Sequence, residues 1–262
     1  MGGLPHFAVL QKESAGPTAE QLKRVFSSFI HLTDADAVRL ATSTRGILMR
    51  QLNRDSARAF QSALAAEGVG TAVVAEDELP RLPDAKSLRR MEISPEAFVA
   101  YDLLGRPTPI EWNRIALVAA GGVRRFEFTT VQTERTVLSF NPISGVWPKK
   151  ISEIGHKTEW DSTPVLEIVL ADGSARYQIE ATGFPFKYVI DRPELSVPEK
   201  FLWLVREICR HTPHAMLSEG TRIVRDGQDV VLEYNTRQML VDEMVWLLWS
   251  QSQPPPTDVP QP

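Results

Sequence analysis

The passage from Met91 to Val123, MEISPEAFVAYDLLGRPTPIEWNRIALVAAGGV, constrains the fold more than any other part of the chain. It reads as a short strand, a turn at Ser94-Pro95-Glu96, and a second strand. A turn at Leu103-Leu104-Gly105-Arg106 then leads to a strand ending in Trp112, and a buried run from Ile115 to Ala120 follows. Short strands separated by Gly- and Pro-bearing turns make antiparallel sheet. A small sheet anchored by Trp112 belongs to a binding module more than to a catalytic site.

Length and charge narrow the rest. A chain of 262 residues has room for two ordinary domains or one large one. With 43% apolar and 24% charged residues it has the make-up of a globular protein. A net charge of -4 argues against nucleic acid, which needs a clustered basic excess. One cysteine, Cys209, rules out an internal disulfide and fits a reducing compartment. The start, MGGLPHFAVLQ, has neither the charged region nor the apolar run of a signal peptide, and His6 stands where a myristoylation motif wants Ser or Thr. The apolar run Met244 to Trp249 is far shorter than the roughly 20 residues a membrane helix needs. The expected location is cytoplasmic.

Residues 1–78 alternate helix and strand patterns. His6 to Gln11 reads as a strand. Thr18 and Gln21 form a capping box before the stripe Leu22, Val25, Phe26, Phe29 and Ile30. Thr33 with Asp36 caps a second helix, Ile47 to Leu52 is a strand, and residues 54–67 are a third helix closed by Gly68. Thr71 to Ala75 is the last strand. The order is β-α-α-β-α-β. If Val38 and Leu40 alternate as a strand instead, the order is ferredoxin-like. Either way the expectation is a two-layer α/β sandwich.

Residues 79–88, with two prolines and mixed charge, read as a linker. A β domain spans 89–212. In it, Glu134 to Trp160, with Pro142, Gly145, Pro148 and Gly155, reads as a long loop, and Asp172-Gly173 joins two strands as a hairpin. Ser196 and Glu199 cap a helix that stops before Pro213. Residues 213–250 form an extension with a short strand, Val230 to Tyr234, and a last helix for which Asn235 is the expected N-cap. Residues 251–262, QSQPPPTDVPQP, read as a disordered tail with polyproline character.

The run of strands through Gly105-Arg106, Trp112 and Ile115 to Val118, closed by the capped helix from about Val197 to Arg210, resembles a pleckstrin-homology-like domain over residues 89–212. That resemblance implies a partly open antiparallel β barrel that binds peptides, proteins or, in some members, phosphoinositides. His31 to Val74, with Thr33-x-x-Asp36-Ala37 and Asp55-x-Ala57-x-x-Phe60 running to Gly68, is similar to the C-terminal domain of the ribosomal stalk protein and to the adaptor of the Clp protease. Those are non-catalytic partner-binding modules. The likenesses lie in core patterns, so no binding residue carries over from either. The expected fold class is α+β: the small sandwich, then the pleckstrin-homology-like β barrel with C-terminal helices.

Candidate sites are few. Cys209, His211 and His214 are near in sequence, but a closed zinc site wants four ligands, and Pro213 breaks the shared face. They read as ordinary helix-end polar residues. No G-x-S-x-G, Walker loop, H-E-x-x-H or strand-borne G-x-G-x-x-G is present. Glu76-Asp77-Glu78 reads as solvated charge. So do the basic pairs Arg89-Arg90, Arg124-Arg125 and Lys149-Lys150, which are the only handle for an anionic membrane surface. Trp246 and Trp249 share a face of the last helix, and Leu240 and Met244 add a second stripe. A helix apolar nearly all round is buried on more than one side, either between the two domains or at a partner or homo-oligomer interface. No catalytic, cofactor or metal residue is assigned. The expected role is non-enzymatic protein or peptide binding. The competing readings are an enzyme with a dispersed site near His156, Lys157 and Asp161, and a peripheral membrane-surface binder.

Overall fold

The computed structural model describes residues 5–13, 15–29, 33–102, 104–141 and 145–253, with side chains throughout except at Arg39, Ser43 and 125–161. The chain divides into two compact units: Met1–Val123 with Thr163–Pro262, and Arg124–Ser162. The class is α+β, in three open sheets with flanking helices and no closed barrel among the described residues.

The N-terminal elements are β1 (Phe7–Gln11), α1 (Ala19–Phe26), α2 (Asp34–Ser43), β2 (Ile47–Leu52), α3 (Arg54–Ala66) and β3 (Thr71–Ala75). Of the two orders the sequence permits, this is β-α-α-β-α-β. Thr33 accepts from the Asp36 N–H and Asp36 accepts from Thr33, so the capping box holds Val38 and Leu40 in α2. Thr18 and Gln21 do the same for α1, and Gly68 takes the left-handed conformation past α3 at φ +76. In the sheet, β1 lies between β2 and β3 and runs antiparallel to both. Phe7 and Val9 face Leu22, Phe26, Phe60 and Leu64 of the helices, whereas Ala8 and Leu10 face the opposite way. Burial on both faces accounts for the unbroken apolar run of β1.

That second face corrects the expectation of two layers. It is covered by the last helix, α6, and the intervening elements explain how. After β3 come β4 (Ala85–Ser87), β5 (Met91–Ile93), β6 (Ala97–Tyr101), β7 (Pro107–Glu111), β8 (Ile115–Asn141), β9 (Gly145–Leu170), β10 (Arg176–Glu180), α4 (Val197–His211), β11 (Met216–Leu217), α5 (Glu219–Arg225), β12 (Glu233–Tyr234) and α6 (Arg237–Ser252). A second sheet has the order β11-β8-β9-β10-β4, with β12 also on β8, and β5-β6-β7 form a third. Residues 79–88 are therefore not a free linker. Leu79 and Leu88 are buried, and Ala85 to Ser87 pair in parallel with Arg176 to Gln178. The stretch Glu134 to Trp160, expected as a loop, is strand in β8 and β9 apart from residues outside the description. Its approach, Thr129 to Val137, is dense in β-branched residues, which outweighs the nearby breakers.

Alternation assigns the two faces of the second sheet. Leu166, Ile168, Tyr177 and Ile179 join Phe98 and Ile110 of the third sheet, Trp112 in the turn just past β7, and Phe201, Val205 and Ile208 of α4. Trp112 anchors the small sheet as its position suggests: its ring lies 5.6 Å from Phe98, and its indole N–H donates to the Ser94 carbonyl at 3.0 Å. Val165 and Val169 point to the other side, against Leu240 and Met244 of α6. Val245 and Trp246 of the same helix close over Ala8, Leu10 and Ile47. The helix begins at the N-cap Thr236 and not at Asn235, because it is the Thr236 hydroxyl that accepts the Met239 N–H.

A polar seam runs beside α6. Glu243 is buried, accepting the Tyr234 hydroxyl at 2.5 Å and the Glu219 N–H at 2.6 Å. Arg45 forms an ion pair with Glu219 and lies 5.9 Å from the Tyr234 ring centroid. Next to Arg45, Gly46 has φ +83, and a Cβ there would sit 2.3 Å from Trp246. The Trp246 indole donates to the Gln11 carbonyl at 2.8 Å. Trp246→Ala should therefore cost about 3–5 kcal/mol, and Gly46→Ala should lower the melting temperature through both strain and overlap. Calorimetry of the two variants checks both.

Glu167 interrupts the apolar row Val165–Val169 on the α6 side. It is fully buried, with Arg176 Nε at 3.4 Å and Arg237 Nε at 4.0 Å, and neither carboxylate oxygen makes a hydrogen bond. Burial pushes its carboxyl up to about 7, against the pull of Arg176 and Arg237. A carboxyl raised on folding leaves stability untouched below its unfolded value and penalises the fold increasingly as pH rises through the interval to about 7. The full penalty is of order 3 kcal/mol for a shift of this size. Glu167→Gln is expected to flatten the loss of stability between about pH 5 and about pH 8. Urea melts at the two pH values measure it.

Candidate functional site

A concavity opens where β4 ends the second sheet. It holds about 470 Å³ and is lined by Lys86 and Arg89 at the β4 edge, Tyr101 and Asp102 at the end of β6, Thr108 of β7 and Tyr177 of β10. Pairing places these groups. Tyr177 lies opposite Lys86, with the Lys86 ammonium 6.0 Å from its ring centroid. Tyr177 is held edge-on to Phe98 at 5.8 Å. Tyr101 closes β6 opposite Pro107.

Arg90 is clamped just outside this cavity. Its guanidinium lies 4.2 Å from the Tyr101 ring centroid and 4.5 Å from that of Tyr188, and it donates to Glu92 at 2.5 Å. The Arg90 hydrogen bond, seconded by the Tyr101 hydroxyl at 2.9 Å, holds the Glu92 carboxyl below its ordinary range; Glu92 in turn raises the Tyr101 phenol. Asp102 is likewise committed. It accepts the Leu104 and Arg106 N–H groups at 2.9 Å and the Arg106 guanidinium at 2.6 Å, and those bonds, the Arg106 N–H foremost, lower its carboxyl. Lys86 and Arg89 form no ion pair among the described residues and are exposed. The cavity thus joins two aromatic walls to two available cations. β4 lies at the end of the sheet order, so its outer edge is joined to no strand among the described residues.

A second, more open groove of about 460 Å³ is lined by Pro95, Glu96, Glu111, Trp112, His211 and His214. His211 stacks on Trp112 at 4.5 Å and 8°, with its Nε2 3.3 Å from Glu207. Cys209 is not with these histidines. Residues two apart on a helix point to different sides, and Cys209 is buried in the core beside Phe201 and Val205. Among the described residues no cluster of His, Cys, Asp and Glu could hold a metal. Burial raises the Cys209 thiol to about 11. A thiol reagent at neutral pH should accordingly label the native protein slowly and the urea-unfolded protein rapidly, which a timed labelling series with mass detection checks.

The other sequence candidates are dispersed. Leu240, Met244 and Trp246 are buried by the chain's own sheets, and Trp249 is half-buried beside them. Glu76 is not simply solvated; it accepts the N–H of Gln51, whose φ is +58. The Arg89-Arg90 pair divides into one available cation and one clamped one. The side chains of His156, Lys157, Asp161, Arg125, Lys149 and Lys150, and the tail from residue 254, lie outside the described residues. No helix among the described residues is long and apolar enough to cross a membrane. The groups with strongly raised carboxyl or phenol pKa, Glu167, Tyr234 and Glu243, line neither concavity.

Lys86, Tyr101 and Tyr177 carry no signal in the sequence that marks them as site residues. Lys86 stands in a Pro-bearing stretch that reads as a linker, and Tyr177 reads as an ordinary strand aromatic; only the parallel β4–β10 pairing unites them. No known family, curated protein or solved structure matches this chain.

Proposed function

We propose that this chain is a non-enzymatic binding module that takes an extended peptide segment along the outer edge of β4, with one peptide side chain entering the tyrosine-walled cavity. The observation that carries this reading is the position of the cavity beside the terminal strand of its sheet. Strand addition supplies main-chain hydrogen bonds along the edge, and a neighbouring pocket reads alternate side chains. The likeness of residues 89–212 to a pleckstrin-homology-like domain, and of the N-terminal elements to stalk and adaptor domains, belongs to the same proposal. The antiparallel β5-β6-β7 sheet packed on α4 and the β-α-α-β-α-β order support it.

Catalysis has less support. The described carboxyl and phenol groups that burial raises, Glu167, Tyr234 and Glu243, lie in the core and do not converge in a cleft, where acid/base chemistry needs them. The apolar side of α6 is taken up inside the chain, which moves the binding reading from that helix to the β4 edge.

The test uses degenerate pools of short fluorescent peptides and polarisation. At least one pool should bind, and Thr108→Trp, an exposed rim change that fills the cavity, should weaken that binding by about tenfold while leaving the melting temperature unchanged. No binding by any pool overturns the proposal.

A further inference from the structure

We infer that the β4-edge cavity selects acidic peptide segments, the carboxylate of an Asp or Glu side chain entering between Lys86 and Arg89 while its methylene stem lies against Tyr101 and Tyr177. This rests on the binding reading above and names the chemistry of the partner.

The charges around the cavity carry the inference. Of its lining residues, only Lys86, Arg89 and Asp102 are charged at neutral pH. Asp102 is neutralised by three hydrogen bonds, two from backbone N–H groups and one from the Arg106 guanidinium. Arg90, against the outer side of the Tyr101 wall, is spent on Glu92 and sandwiched between Tyr101 and Tyr188. What the cavity offers an incoming group is therefore two cations without counter-ions. A basic side chain would meet like charge. A neutral polar one would leave both cations uncompensated on contact. A carboxylate pairs with them in the partly desolvated setting where such pairs strengthen.

The edge itself excludes one competing occupant. β4 spans three residues with a lysine at its centre. Short, lysine-bearing edges are what sheets use to prevent pairing with their own kind. Two copies meeting edge to edge would set Lys86 near Lys86, so a second copy of this chain is disfavoured while an acidic strand is favoured. The two cations also come from separate positions on one strand and its exit. They do not form the arginine cluster that phosphate recognition employs, so a carboxylate is the occupant of choice over a phosphoryl group.

The experiment compares four peptide pools by polarisation, alike except for a central Glu, Gln, Lys or phosphoserine, against the full chain. The Glu pool should bind about tenfold more tightly than the Gln pool, with the difference shrinking as salt is raised. Lys86→Glu and Arg89→Glu should each abolish the advantage and improve binding of the Lys pool, with melting temperatures near that of the parent because both side chains are exposed. Equal binding of the Glu and Gln pools would overturn the acidic selectivity and leave the binding module standing. So would a charge reversal that leaves the Glu preference intact. Much tighter binding of the phosphoserine pool would replace the carboxylate with a phosphopeptide. If no pool binds, the binding reading fails with it.

Discussion

The structure depends on one helix being apolar on two sides. α6 lays Leu240 and Met244 on the second sheet and Val245 and Trp246 on the first. Neither sheet could leave that face bare, since β1 is buried throughout and Val165 and Val169 look outward from β9. Without α6 each sheet would expose an apolar face of the kind that drives aggregation. The last helix thus packs at once on the sheet of the N-terminal elements and on the second sheet, which the sequence divides into two domains. The close contact is specific as well as apolar: Gly46 leaves room for the Trp246 ring, and the Gln11 carbonyl accepts its N–H.

Two buried carboxylates, Glu243 on this helix and Glu167 on β9 facing it, differ in how they are satisfied. Glu243 binds a phenol and a backbone N–H, and those bonds with the charge of Arg45 oppose a burial that otherwise raises its carboxyl. It ties α6 to β12 and to the start of α5. Glu167 has two guanidinium groups near it and a hydrogen bond to neither. A buried pair of poor geometry recovers little of its desolvation cost, and it is at Glu167 that the fold is sensitive to pH.

Local structure was legible where it is encoded locally. The Thr18, Thr33 and Ser196 capping boxes, the Gly68 terminus and the Asp172-Gly173 hairpin each depend on residues within a few positions of one another, and each stands in the structure as the sequence implied. The failures were non-local. Residues 79–88 look like a linker because their prolines and charges are local signals of irregularity, yet a pairing partner about 90 residues away turns Ala85 to Ser87 into sheet. The candidate site went unseen for the same reason. Lys86, Tyr101 and Tyr177 carry no motif and are neighbours only through β4–β10 pairing and the stacking of two sheets.

Sequence by itself determined the α+β class, two permitted element orders for the N-terminal domain, the absence of an internal disulfide and the need for the last helix to be covered on more than one side. These follow from periodicity, capping chemistry and composition, which act within a turn or a strand. Tertiary structure alone decided what covers that helix, where β4 joins, which of the two adjacent arginines is clamped, and that two tyrosines and two cations share one cavity. Those outcomes turn on which apolar faces meet and on strand register, and side-chain patterns specify that a face must be buried without naming the surface that buries it.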